Sequence, residues 1–176
     1  MINILLSVRR PFSGFILDRK KPWELRKNAP RIPRGEHVTL WTYESGKDGA
    51  RAIIGKCRMV SWVRMRHMSF RCRPDDFIED FCVTGEHLLS YMPCYAWGVQ
   101  DPVRLPAAVP LSAIGMTRPP QSWQYLADEQ AAILEQAACR DCPNCKYHDL
   151  LTKQSPCRDC YPYEDQRLWE PRKEGE

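Results

Sequence analysis

The chain has 176 residues, 43% of them hydrophobic, with 15 prolines and a formal net charge of +4. That length suits one ordinary domain with an appendage, or two small domains. No apolar run approaches the roughly 20 residues a membrane span needs, and the cations of MINILLSVRRPF follow a very short apolar run, the wrong order for a signal peptide. A cytoplasmic protein with no membrane partner is the expectation.

The modest net charge conceals an asymmetry. Residues 1–73 carry 17 Lys/Arg against 5 Asp/Glu, and residues 74–176 carry 9 against 17. A basic half interleaved with Trp and Tyr suits a polyanion, because neutralised phosphates release counterions and aromatic rings stack on bases. Mutual neutralisation of the two halves within the fold is the competing explanation.

In chain order, residues 2–8 (INILLSV) are short and branched, and predict a strand. Pro11 suits the start of a helix, whose apolar face is Phe12, Phe15 and Ile16, and which stops before Pro22. The stretch LDRKKPWELR (17–26) then presents Arg19, Lys20 and Lys21 before Pro22 and Trp23. Pro22 biases Lys21 away from helix. In an extended segment, Glu24 and Arg26, two residues apart, project to the same face beside Lys21. The plain alternative is a surface salt bridge beside a solvated basic turn.

Gly35 marks a turn before a strand from His37 to Tyr43, with Val38, Leu40 and Thr42 alternating with Thr39, Trp41 and Tyr43. ESGKDG is a turn, and Arg51 to Trp62 reads as a further strand. Residues 64–76 lack clean periodicity. Thr84 or Gly85 opens a short helix through Leu88, Leu89 and Tyr91 that Pro93 ends. CYAWGV and DPVRLPAAVPL read as two more strands, the second bulged or at an edge because of its prolines. These short elements predict an α+β fold, a small, partly closed β-barrel with helices plugging its ends. Trp97 and Trp123 are expected in packing, with no ligand role.

From about Pro120 a helical period runs through Trp123, Leu126, Gln130, Ile133, Leu134 and Ala137, with Ser122 as cap. The expected organisation is a barrel over 1–118, a linking helix over 119–138 and a cysteine lobe with tail over 139–176. Nine cysteines in a chain without export signals are better read as metal ligands than as disulfides. Cys142-x2-Cys145 and Cys157-x2-Cys160, separated by eleven residues, form two hairpins that place four thiolates around one Zn2+. With all four positions filled by sulfur the zinc is structural, and its binding supplies the folding free energy of a lobe poor in apolar residues. Cys139 is a fifth candidate, His148 a fallback, and a redox dithiol the rival reading.

The order Pro11-Phe12, Ile16-Leu17, Lys21-x-x-Glu24-x-Arg26, Arg34-Gly35-Glu36, Gly85-Glu86-x-Leu88, Tyr91 and Tyr95-Ala96-Trp97 resembles the ASCH domain. The run Arg118 to Trp123 and the cysteine hairpins are similar to ASCH proteins of phages and prophages. The resemblance implies a PUA-like β-barrel related to RNA-binding and RNA-modifying proteins, with a cleft where Lys21, Glu24 and Arg26 meet a nucleobase or nucleoside. One bacterial branch of the family hydrolyses the acetyl amide of N4-acetylcytidine with a Lys, a Thr three residues later and a distant Glu. Lys21 matches the first, Glu24 replaces the Thr, and Glu79, Asp80 and Glu86 are candidates for the third. Arg19 stands where the family commonly has Gly. The implied function is an RNA- or nucleotide-binding module in which Lys20, Lys21 and Arg26 hold phosphate or a base edge while Trp23 or Trp41 stacks. The alternative is an amidohydrolase or ribonuclease with Lys21 and Glu24 catalytic and Arg26 stabilising an oxyanion.

Overall fold

The computed structural model of the chain describes residues 1–33, 35–66 and 75–138, with side chains from Ile78 onward in the last stretch. The cysteine hairpins, Cys139 and His148 lie outside the described residues. Six strands form one sheet, β1 (Ile2–Arg9), β2 (Trp23–Arg26), β3 (Val38–Ser45), β4 (Ile53–Met65), β5 (Cys94–Val109) and β6 (Trp123–Tyr125), in the order β2-β5-β4-β3-β1-β6. β1 and β3 run parallel, and every other pairing is antiparallel. Four short helices accompany them, α1 (Phe12–Leu17), α2 (Asp75–Phe81), α3 (Gly85–Tyr91) and α4 (Asp128–Ala138).

The sheet curls into a half-barrel, and its central strands are apolar on both faces because both are covered. Ile4, Leu6 and Val8 of β1 meet Val38 and Leu40 of β3 with Ile16 and Trp97 inside the curl. Leu5, Trp41 and Tyr43 pack outward against Ile53, Leu111, Ile114 and Leu134, the last from α4. A third cluster, Leu25, Phe81, Leu88, Cys94 and Ala96, seats α2 and α3 on the outer side of β2 and β5. Gly55 lets α1 approach, since a Cβ there would stand 2.5 Å from Leu17 Cδ2.

Three sequence expectations are corrected. Trp123 and Tyr125 belong to a strand, paired with Leu6 and Ile4 of β1, and α4 starts only at Asp128. Edge-to-face contacts of Trp123 with Trp97 (5.5 Å) and Tyr125 (5.4 Å) reward that extended backbone more than helix propensity does. CYAWGV and the proline-rich segment are one 16-residue strand, β5, whose register against β4 shifts between Lys56 and Arg58. Asp101 takes a φ of 51° just before Pro102, so the chain bulges where the proline has no N–H to pair. Trp41, expected as a stacking surface, is fully buried with its indole N–H donating to Asn3 Oδ1 at 3.0 Å. On the outward face of β3 it packs in one cluster with Leu5, Ile53, Leu111 and Leu134, which leaves no ring face for a ligand.

Thr84 caps α3 as its sequence suggests, accepting from the His87 N–H at 3.2 Å. The start of α1 is pinned from outside by Glu44, which is buried. The Ser13 hydroxyl donates to Glu44 Oε1 (2.7 Å), and Arg10 Nη2 and the Ala50 N–H donate to Oε2 (2.8 Å each). Burial pushes this carboxyl up, but the Ala50 N–H, Ser13 and Arg10 outweigh it and hold it below its ordinary value of 4.5. A depressed carboxyl contributes stability above its unfolded pKa and loses it as pH falls through the folded one. Glu44→Ala, which leaves three donors without their acceptor, should therefore cost about 2–3 kcal/mol at neutral pH in urea unfolding. The loss of stability between neutral pH and pH 3 should be smaller in the variant than in the parent.

Candidate functional site

Lys21, Glu24 and Arg26 come together. Pairing of β2 with β5 puts Glu24 opposite Trp97 and Arg26 opposite Tyr95, on the face turned into the curl. Glu24 Oε1 accepts from Arg26 Nη2 at 2.9 Å, and Glu24 Oε2 lies 3.6 Å from Lys21 Nζ. All three are largely buried, Lys21 at 2% exposure, Glu24 at 6% and Arg26 at 9%. A solvated surface pair is thereby excluded for these three residues. The same Arg26 Nη2 donates to the Ser7 carbonyl of β1 at 2.8 Å.

Lys21 is gripped from several sides. Its ammonium donates to the carbonyl of Phe81, the last residue of α2, and stands 5.4 Å from the ring centre of Phe12. Burial lowers its pKa below the ordinary lysine value, against the opposing pull of Glu24. The nearby Cys57 thiol is pushed up to about 12, chiefly by burial and then by the charge of Glu24, so it stays neutral at physiological pH. With Lys21 protonated, the cluster holds two positive charges against one negative.

The approach to the lysine is set by the turn after α1. Arg19 has a φ of 62°, the left-handed conformation that glycine adopts without cost. Lys20 and Lys21 N–H groups both donate to the Phe15 carbonyl, so the strained turn delivers Lys21 inward and leaves Lys20 exposed. One hollow reaches the lysine, and a second lies beyond Phe12, whose ring the ammonium faces. The first, about 300 Å3, is lined by Ile16, Arg19, Lys21, Pro22 and the β5 bulge from Val99 to Pro102. The other, about 500 Å3, is lined by Phe12, Ile78, Glu79, Cys82, Val83, Thr84 and His87.

The remaining sequence candidates lie elsewhere. Trp23 is on the opposite face of β2 from Glu24, half-buried against Gly98 and the α2–α3 cluster. Trp41 packs on the outer face of the sheet, away from Glu24. Among the described residues, Glu24 is the carboxylate within ion-pair reach of Lys21, and Glu79, Asp80 and Glu86 are not. Sequence reasoning missed three buried polar atoms without a hydrogen-bond partner among the described residues: Arg26 Nε, Thr42 Oγ1 and Trp97 Nε1. Trp97, read from the sequence as packing, does pack, but its N–H is left over, and its backbone is paired with Glu24. Its position opposite an acidic strand residue was the signal, and it emerges only once β2 and β5 are paired. The described residues hold no group of three or more His, Cys, Asp or Glu arranged for a metal ion.

These features define a half-barrel carrying a cationic cluster inside its curl. The fold is that of the ASCH protein from Zymomonas mobilis. Its crystal structure aligns over 78% of this chain and 96% of its own, at 16% identity and a TM-score of 0.64. Two single-substitution mutants of that protein align over 78% of this chain at 15% identity, with TM-scores of 0.63 and 0.62, covering 96% and 99% of their own lengths. Human THYN1 protein, solved in complex with 5-methylcytosine-containing DNA, aligns over 80% of this chain and 99% of its own at 14% identity, with a TM-score of 0.46, too loose a likeness to carry an argument. No family model matches the chain, and no curated protein matches it in sequence. No helix among the described residues is long and apolar enough to cross a membrane.

Removing one partner of a buried charge cluster leaves the others uncompensated. Glu24→Gln should therefore lower unfolding stability by about 3–5 kcal/mol in urea titrations, whereas a surface pair would cost under about 1 kcal/mol.

Proposed function

We propose that the chain is a nucleobase-binding module of RNA or nucleotides, built on the ASCH fold, with the cluster of Lys21, Glu24 and Arg26 as its recognition site. The observation that carries this reading is the pair of leftover buried donors, Arg26 Nε on the residue that binds Glu24 and Trp97 Nε1 on the residue paired with Glu24 across β2 and β5, with Glu24 flanked by two cations. Buried donors without partners are rare and mark a place for an acceptor. A cytosine edge supplies carbonyl and ring-nitrogen acceptors for them and an exocyclic amine for Glu24. The excess positive charge favours an electron-rich or phosphorylated ligand over a cation. The resemblance of the motif order to ASCH proteins supports the same ligand class. Lys20, exposed at the turn, suits a phosphate outside the hollow.

Calorimetric titration with cytidine and cytidine monophosphate tests this. Binding should be lost in Glu24→Gln and weakened roughly tenfold or more in Arg26→Lys, because an ammonium cannot replace two directed guanidinium bonds. No heat with either nucleoside or nucleotide would refute the reading.

The lowered pKa of Lys21 favours a second reading, an amidohydrolase acting on a modified nucleoside such as N4-acetylcytidine. A deprotonated lysine would activate the attacking group, Glu24 would shuttle the proton and Arg26 would steady the oxyanion. Release of cytidine from N4-acetylcytidine by the parent chain, abolished in Lys21→Ala, selects this reading, and cleavage of short RNA selects a ribonuclease.

The zinc lobe belongs to the same proposal. Cys142, Cys145, Cys157 and Cys160 would hold one structural Zn2+, supported by the two CxxC hairpins and the thiolate chemistry zinc prefers. Purified protein should contain one zinc per chain by elemental analysis, and Cys142→Ser with Cys157→Ser should reduce it to background. A cytoplasmic location fits unoxidised thiols of this kind.

A further inference from the structure

Beyond the buried cluster, the same face of the sheet continues to an exposed rim. Register between β4 and β5 places Trp62 opposite Trp97 and Arg64 opposite Tyr95. Two rows therefore cross three strands on one face, Glu24–Trp97–Trp62 and Arg26–Tyr95–Arg64. The inner ends of these rows are buried, while at the outer end Trp62 is 44% exposed. Backbone positions of Glu24 and Trp62 are two strand spacings apart, roughly 10 Å.

The rim is aromatic and cationic. Trp62 meets Tyr95 edge to face at 5.6 Å, and the Arg64 guanidinium lies 5.9 Å from the Tyr95 ring centre. Beside them is a hollow of about 460 Å3 whose walls include Pro30, Arg31, Ile32, Trp62 and Tyr95 and, among the described residues, no carboxylate. An indole that packs on one ring and leaves 44% of its surface to solvent is a partial apolar patch of the kind that marks an interaction site. Flanked by two arginines, it offers a ring for stacking and charges for the adjoining phosphates.

We infer that Trp62, Tyr95, Arg64 and Arg31 form a stacking shelf for single-stranded nucleic acid, next to the site that takes one base of that strand. The inference rests on the nucleobase reading for the identity of the inner ligand, and it extends that ligand from a free nucleoside to a strand. A duplex cannot use the shelf, because its bases are already stacked and their faces are covered. Charge complementarity decides for nucleic acid over an apolar peptide.

Fluorescence anisotropy with a labelled mixed-sequence RNA heptamer tests the shelf. Trp62→Ala should weaken heptamer binding between about 5- and 150-fold, the loss expected for one stacked base. Trp62→Phe should restore most of it, and cytidine binding should be unchanged in both variants. The heptamer should also bind at least tenfold more tightly than a hairpin duplex of similar length. Equal heptamer affinity in Trp62→Ala and the parent, or equal affinity for the duplex, overturns the shelf. Absence of cytidine binding with heptamer binding still sensitive to Trp62 overturns the inner-site reading and leaves the shelf standing.

Discussion

One guanidinium closes this fold. β2 and β1 are first and fifth in the strand order, so in a flat sheet they would stand roughly 19 Å apart. Arg26 nevertheless donates to the Ser7 carbonyl at 2.8 Å, which is reached only because the sheet curls until its edges approach. The same nitrogen holds Glu24, and Glu24 in turn neutralises Lys21. Curvature, burial of charge and formation of the site are thus a single event. The Trp97–Trp123 contact bridges the same interior with apolar area and helps to repay the desolvation of the ions.

The cover over this cluster is electrostatic as well as apolar. Lysines at both flanks of β2 grip the carboxyl-terminal ends of two short helices. Lys21 holds the Phe81 carbonyl that ends α2, and Lys27 Nζ holds the Tyr91 carbonyl that ends α3, with its ammonium 4.3 Å from the Tyr91 ring. Helix ends of this polarity favour cations, so α2 and α3 are seated by charge on a strand too short to bury much area. Lys21 therefore serves two partners at once, the end of α2 and the Glu24 carboxylate, and its removal would loosen both.

Much of the local structure was legible in the residues. The β1 run, the Thr84 cap and the shared face of Glu24 and Arg26 follow from period and side-chain chemistry, whereas α1 buries Ser13, Ile16 and Leu17 and leaves Phe12 and Phe15 only partly covered. What failed depended on partners distant in sequence. Trp123 fits a helical period with Leu126 and Gln130, but β1 offers a free edge and Trp97 a ring, and both win. Trp41 reads as a stacking ring in a basic half of the chain, yet α4 and the 3-10 turn at Leu111–Ile114 cover its face of β3. The leftover Trp97 N–H needs the β2–β5 register to be seen at all. Arg19 marks the reverse case. A non-glycine residue in the left-handed region looks unfavourable locally, and the tertiary need to turn Lys21 inward overrides it.

The parallel alignment of β1 and β3 has a consequence for how such a protein diversifies. Parallel neighbours cannot be joined by a tight hairpin, so the chain must make a return excursion, here residues 10 to 37. That excursion carries α1, the strained turn and β2, and with them Lys21, Glu24 and Arg26. The central strands β1, β3 and β4 contribute scaffold, while the ion cluster is written in one contiguous cassette. Exchange of that cassette between relatives would move all three charges together while leaving the frame that folds them in place.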